Sequence, residues 1–222
     1  MRHDPPFRDR LEAGRALARV VAARLRGRRD VLVLALPRGG VPVAGEVARA
    51  LDAPLDVFLV RKLGVPGHPE LAMGAVASGG TRVLNDQVIA TYGIPAAWVE
   101  SVAREARREL DRRAVAFRGW RPVPSVAGRT VVLVDDGVAT GSTVRAAIRA
   151  LERQRPARII VAVPFGPRET CEALAAEVDE VICVETPESF AAVAEGYEDF
   201  SPTPDDVVRD VLARAAHAHS LT

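Results

Sequence analysis

Two hydrophobic patterns alternate along the chain. Short runs that are apolar at nearly every position predict strands covered on both faces: VLVLAL (31–36), LDVFLV (55–60), TVVLVDD (130–136), RIIVAVP (158–164) and EVICVE (180–185). Between them, apolar residues recur at helical spacing over 10–25, 41–51, 95–117, 142–154 and 168–177. The third of these segments also carries Glu100/Arg104 and Glu109/Arg113 at i,i+4. Asp205 opens a closing helix. Strands and helices in alternation predict an α/β fold, three layers deep, with helices on both faces of a mostly parallel central sheet. One stretch breaks the rhythm. RKLGVPGHPELAMGAVASGG (61–80) is rich in Gly and Pro in its first half, which predicts a long mobile loop and then a short strand. TRVLN (81–85) is placed to pair with that strand as a hairpin. No internal repeat and no linker divides residues 1–222, so they read as a single domain with its core at about 30–185.

Open parallel sheets bind ligands beyond the carboxyl ends of their strands. Two strands end in unusual sequence, the first in PRGG (37–40) and the third in DDGVATGST (135–143). In the second loop Gly137 and Gly141 allow close backbone approach, and Thr140, Ser142 and Thr143 add hydroxyls at a helix start. Free N–H groups and the helix dipole favour an anion there. The G-x-x-x-x-G-K spacing of a Walker A loop is absent. Asp135 and Asp136 would repel the phosphate that the loop attracts, so they must face another part of the ligand, such as sugar hydroxyls or the shell of a Mg²⁺ ion. A simple Asp cap is the alternative, but capping does not need the Gly-Thr-Gly-Ser-Thr that follows.

Charge narrows the field further. The net charge of +1 gives no general attraction to nucleic acid or anionic membrane. No apolar run approaches the ~20 residues of a membrane span, and MRHDPPFRDR lacks the apolar centre of a secretory signal. A cytoplasmic location is expected. Cys171 and Cys183 are too few and too far apart in sequence for a metal knuckle or a disulfide framework, and Cys183 reads as a small buried hydrophobe. Almost every cation is arginine; the single lysine, Lys62, falls in the Gly/Pro-rich stretch.

Residues 131–143 resemble the phosphoribosyl diphosphate (PRPP) signature of the type I phosphoribosyltransferases: four apolar residues, two acids, then a Gly/Thr/Ser loop. The alternation over about 30–185 is similar to the sheet of that family. The resemblance implies that Asp135 and Asp136 hold the ribose 2′- and 3′-hydroxyls, and that Gly137, Val138, Ala139, Thr140, Gly141, Ser142 and Thr143 wrap the 5-phosphate. It makes Pro37, Arg38, Gly39 and Gly40 the pyrophosphate loop, which in this family often carries a cis peptide, with Arg38 meeting the pyrophosphate. Residues 61–80 become the catalytic loop that closes over substrates. Lys62 would reach the leaving phosphate, and His68 and Glu70 would handle protons. The cofactor implied is Mg²⁺, which Asp135 and Asp136 would meet only indirectly, through PRPP or water. The partners implied are PRPP and a nucleobase-like acceptor in a homodimer, without nucleic acid or membrane.

Acceptor choice in this family lies in a variable hood, here a small C-terminal one at about 186–204, with or without the N-terminal helix. Phe190, Tyr197 and Phe200 either stack on a flat base or pack the tail onto the sheet. The 6-oxopurine enzymes carry an aspartate three residues after the second acid, where this chain has Ala139, so that subclass is disfavoured. The chemistry implied is displacement of pyrophosphate at the anomeric carbon. A second reading is a PRPP-sensing regulator, with Arg15, Arg19, Arg24 and Arg26 of the first helix on RNA or DNA. Glu100, Glu105, Glu109 and Asp111 neutralise the other basic helix. A PRPP synthetase would be longer, with two similar halves.

Overall fold

The computed structural model describes residues 5–220, leaving out the side chains at 69, 70, 219 and 220. Its centre is a five-stranded sheet in the order β2-β1-β6-β7-β8, formed by β1 (Val31–Ala35), β2 (Leu55–Val57), β6 (Thr130–Val134), β7 (Arg158–Phe165) and β8 (Glu180–Glu185). Every neighbouring pair is parallel. Successive side chains leave a strand on opposite faces, and both sets are buried. Val33, Ala35, Val132, Val134 and Ile160 meet α1 (Arg10–Arg24), α2 (Gly40–Leu51), α4 (Ala96–Arg118) and α7 (Asp205–Ser220). Leu32, Leu34, Val131, Leu133 and Val161 meet α5 (Ser142–Glu152) and α6 (Arg168–Ala175), through Ile148, Leu151 and Leu174. This is why the strands read as unbroken apolar runs. On α6 and β8, Cys171 and Cys183 are free thiols, and Cys183 donates to the Glu185 carbonyl at 3.4 Å.

Strand order reverses between β1 and β6. From β1 the chain runs outward through α2 to β2, and from β6 it runs the other way through α5 and β7 to β8. The loops after β1 and β6 therefore diverge above the sheet and leave a crevice between them, the usual ligand position in such folds. Those loops are the two that the sequence singles out.

The stretch 61–80 is not a loop followed by a short strand. It forms β3 (Val60–Val65) and β4 (His68–Ala77), an antiparallel ribbon to which β5 (Arg82–Leu84) adds a third strand. Val60 accordingly belongs to the ribbon and not to the buried strand at 55–57. Leu63, Val65 and Met73 are fully buried among the core side chains, and that burial outweighs the weak strand preference of the glycines and prolines around them. A short helix α3 (Asp86–Thr91), capped by the Asn85 side chain on the Val88 N–H at 3.2 Å, then leads to α4.

Under β2 lies a buried ion pair. Arg118 and Asp56 approach to 3.2 Å, with side chains 4% and 9% exposed. Burial raises the Asp56 carboxyl above its ordinary value, with the Arg118 charge opposing. Arg118 also donates to the Val57 carbonyl at 3.2 Å. Arg118→Leu would leave a buried unpaired carboxylate and is expected to destabilise the fold by about 3–5 kcal/mol. Urea unfolding measures this, and adding Asp56→Asn should recover part of the loss.

Candidate functional site

The loop after β1 is short. The peptide bond Pro37–Arg38 is cis, the conformation that the resemblance implies for this loop. The Gly40 N–H donates back to the Leu36 carbonyl at 3.1 Å, which starts α2 at once. Gly39 and Gly40 lie directly against the acids that follow β6. A Cβ at Gly39 would sit 2.0 Å from Oδ2 of Asp136, and one at Gly40 would sit 2.9 Å from Cα of Asp135. Only glycine admits this approach. Arg38 points outward and pairs with Asp205 at the start of α7, at 3.2 Å with both side chains about half exposed. Such a surface pair is worth less than about 1 kcal/mol, so Arg38 can leave it for an anion.

The loop after β6 is anchored by its backbone. The Val138 N–H donates to the Phe165 carbonyl at 2.9 Å, and Thr170 Oγ1 donates to the Ala139 carbonyl at 2.8 Å. Val138 is buried and its amide is occupied, so of the residues expected to wrap a phosphate it contributes only shape. Gly141 takes a left-handed conformation, φ 72°, as the N-cap of α5. Thr140, Ser142 and Thr143 are exposed on the open side of the turn. Arg145 ties the turn to its helix by donating to the Thr140 carbonyl at 2.8 Å.

The two acids differ in environment. Asp135 accepts the Asp136 N–H at 2.9 Å through Oδ1. Burial, and after it the neighbouring charge of Asp136, pushes its carboxyl well above the ordinary carboxylate range. Asp136 has a counterion that the sequence does not reveal: Arg10 Nε donates to Asp136 Oδ2 at 2.7 Å, with both side chains largely buried. Arg10 is the first residue of α1. Its position follows from the cap, where Asp9 accepts the Glu12 N–H at 2.8 Å and Glu12 reaches back to the Arg8 N–H at 2.7 Å. The Arg10 guanidinium also donates to the Ser201 carbonyl at 2.8 Å and lies 4.0 Å from the centre of the Phe200 ring. Signals within either segment could not have revealed this pair, because the partners are far apart in sequence. Adjacent, partly buried carboxylates do require a cation, and that is the one general clue.

The aromatic residues of the tail correct the sequence reading. Tyr197 is 5% exposed, and its hydroxyl donates to the Asp136 carbonyl. Burial holds that phenol above its usual range. Its ring stacks on Phe200 with centroids 5.2 Å apart, and Phe190 packs against Phe165 at 5.3 Å. Around them Phe7 and Tyr197 form a parallel bridge, with the Glu198 N–H donating to the Phe7 carbonyl at 2.9 Å. The residues before α1 and the tail thus form one unit that braces the acid pair. Tyr197 has no free face for a base, and Arg10 covers Phe200. Tyr197 therefore serves packing, the other of the two alternatives, whereas Phe190 and Phe200 pack on their neighbours and stay partly exposed.

In the ribbon, Lys62 lies on β3 and faces a cavity shared with Ser142 and Arg145 of α5. His68, at the start of β4, is exposed and packs on Tyr92 with ring centroids 5.5 Å apart. The side chain of Glu70 lies outside the described residues. Among the described residues no three of His, Cys, Asp and Glu cluster as metal ligands, and no helix is long and apolar enough to cross a membrane.

The sheet is parallel and doubly wound, and two glycine-bearing loops meet on an acid pair at its switch point, which defines the α/β class with a crevice at the carboxyl ends of its strands. The chain matches the family model for the phosphoribosyl transferase domain over residues 8–199, and it belongs to that family. A Mycobacterium tuberculosis protein named "putative phosphoribosyl transferase" is 49% identical over 209 residues, covering 94% of this chain and 47% of that protein. This chain thus spans about half the length of that curated relative. The crystal structure of TT1426 from Thermus thermophilus is 45% identical, with a TM-score of 0.83 over 94% of this chain and 98% of that one. A "bifunctional protein PyrR" of Chloroflexus aurantiacus is 36% identical over 132 residues, covering 57% of this chain and 65% of that protein.

Proposed function

We propose that this chain transfers the 5-phosphoribosyl group of PRPP to a nitrogenous acceptor, a nucleobase or a near relative, and releases pyrophosphate. The observation that carries this reading is the contact of Gly39 and Gly40 with Asp136 and Asp135. It fixes the proposed pyrophosphate loop against the proposed ribose-binding acids, while the hydroxyl-bearing turn of 140–143 opens beside them. Phosphate at 140–143, sugar at 135–136 and pyrophosphate at 37–40 then follow the order of groups along PRPP.

In the reaction the bond from the anomeric carbon to the pyrophosphate oxygen breaks and its electron pair leaves with pyrophosphate. The acceptor nitrogen gives its lone pair to the same carbon and sheds its proton. Positive charge develops on the sugar ring, and the Asp135–Asp136 pair, holding the ribose hydroxyls in this reading, would offset it. Arg38, freed from Asp205, would take the leaving phosphate oxygens as a planar fork. The donor set fits a metal held mainly by the ligand's own oxygens, with Asp135 and Asp136 reaching it through ribose hydroxyls or water. Mg²⁺ bound in that way would neutralise charge on the leaving group.

A nucleic-acid-binding regulator is less well supported. On α4, Arg112 and Arg113 pair with Glu109, and Arg107 pairs with Asp111, so acids offset half of the helix's arginines and leave no continuous basic face for a nucleic acid backbone. The test is formation of a nucleoside 5′-monophosphate from Mg-PRPP and a panel of purines, pyrimidines and related bases. Asp135→Asn and Asp136→Asn should each lower kcat/KM by about 10- to 100-fold, the cost of one hydrogen bond to a charged group. No product with any base would contradict the reading.

A further inference from the structure

Two thiols that the proposed chemistry does not use meet between α6 and β8. Val181 and Cys183 leave β8 on the face that Cys171 and Leu174 of α6 cover, whereas Ile182 leaves it on the other face. The chain turns from α6 directly into β8, so the helix packs back along the strand that follows it. Leu174 then stands toward the start of the strand, and Cys171, one helical turn earlier, stands toward its end beside Cys183. Each thiol is the strongest influence on the other: the Cys171 thiol is held below its ordinary value by Cys183, with burial opposing and the Arg168 charge adding, while Cys183 is raised. Both cysteines are free, and Cys183 is only partly buried, which leaves a small oxidant a way in.

The same helix holds the turn proposed to take the 5-phosphate. Thr170, the neighbour of Cys171, donates to the Ala139 carbonyl at 2.8 Å, and its methyl group lies 3.2 Å from where a Cβ at Gly141 would be. We propose that Cys171 and Cys183 form a reversible disulfide that controls this turn through α6. The Cys171 thiolate attacks one oxygen of hydrogen peroxide, the O–O bond breaks, and the departing hydroxide takes up the thiol proton as water. The Cys183 sulfur then attacks the Cys171 sulfenic sulfur, the S–O bond breaks, and the hydroxyl leaves with the Cys183 proton as a second water. Two thiols and one peroxide give one disulfide and two waters, and a thiol reductant reverses the bond by exchange. A disulfide holds its Cα atoms about 4.4–6.8 Å apart. Closing it draws the N-terminal half of α6 onto β8 and takes the Thr170 hydroxyl off the Ala139 carbonyl. The consequence for PRPP rests on the transferase reading; the disulfide and the loosening of the turn do not.

The test begins with the reduced protein, a stoichiometric pulse of hydrogen peroxide, and a count of free thiols after unfolding. Both thiols should be lost, the intact monomer should lose two hydrogens in mass, and peptide mapping should join Cys171 to Cys183. Dithiothreitol should restore both thiols. Amide hydrogen exchange at Val138 and Arg145, whose backbone bonds pin the turn, should quicken by about tenfold in the oxidised protein, the effect of losing one hydrogen bond. Mg-PRPP should bind the oxidised protein about tenfold more weakly, and Cys183→Ser should make that affinity indifferent to peroxide. Thiols that survive the pulse, a mass that gains oxygen, or linkage between two chains would overturn the disulfide. Unchanged exchange in a chain that does carry the disulfide would overturn its control of the turn. If the reduced protein binds no PRPP, the transferase reading fails, and thiol count and exchange still decide the switch.

Discussion

Arg10→Ala should weaken Mg-PRPP binding by about 10- to 100-fold. PRPP is a polyanion, and the proposed binding mode sets two carboxylates beside it. Arg10 offsets one of them through its 2.7 Å bond to Asp136. Removing a unit charge ~6 Å from another, at an effective dielectric of about 20, costs on the order of 2–3 kcal/mol, which is the fold-change expected. The substitution also frees the Asp136 carboxylate to rotate away from the ribose and uncovers the Phe200 ring, so stability should fall as well. The two effects separate through Arg10→Lys, which restores the charge but not the flat stack on Phe200. That variant should recover more of the PRPP affinity than of the thermal midpoint. Calorimetric titration and thermal unfolding of both variants make the comparison. If Arg10→Ala bound PRPP more tightly than the parent, Arg10 would be blocking the acid instead of positioning it.

Gly39→Ala is expected to lower turnover by at least about 100-fold while the protein still folds. Gly39 has φ −57° and ψ −39°, ordinary values for any residue, so alanine brings no backbone strain. The obstacle is steric: the added methyl would sit 2.0 Å from Oδ2 and 2.6 Å from Cγ of Asp136. A free surface carboxylate would swing aside. This one is held by Arg10, and its own carbonyl is held by the Tyr197 hydroxyl. Either the loop 37–40 or Asp136 must shift, at a cost of about 1–3 kcal/mol for overpacking. In both cases the proposed pyrophosphate and ribose contacts lose their mutual geometry, and a misplacement of about 1 Å can cost roughly 100-fold in rate. Steady-state kinetics should show kcat/KM falling at least that far while the unfolding midpoint moves by only a few degrees. Wild-type kinetics for Gly39→Ala would remove the loop from the site.

What can be read from the chain alone is what depends on local pattern. The strands are apolar at every position over 31–35 and 131–134 because both of their faces are covered, and the loops that follow them carry the glycines and acids. Their meeting at a switch point follows from the strand order, which the folded sheet alone shows. The pairing of 81–85 with the strand before it is legible in sequence, but β3 and the start of β4 escape because Gly64, Pro66, Gly67 and Pro69 mark a loop locally, whereas burial of Leu63, Val65 and Met73 is a tertiary fact. The role of the tail aromatics is open in sequence for the same reason. Tyr197 suits a stacking platform and a packing position equally well until its hydroxyl is seen on the Asp136 carbonyl. Arg10 is the clearest case: nothing within α1 sets it apart from Arg15 or Arg19, and only the folded chain brings it to the acid.

Binding of Mg-PRPP, followed by titration calorimetry, tests the central assignment most directly, because it does not depend on knowing the acceptor. The wild-type chain should bind PRPP with Mg²⁺ present, and the double variant Asp135→Asn/Asp136→Asn should bind at least about 100-fold more weakly while still unfolding cooperatively well above the titration temperature. Equal affinity in the two proteins, or no binding by the wild type, would contradict the placement of the sugar on the acid pair.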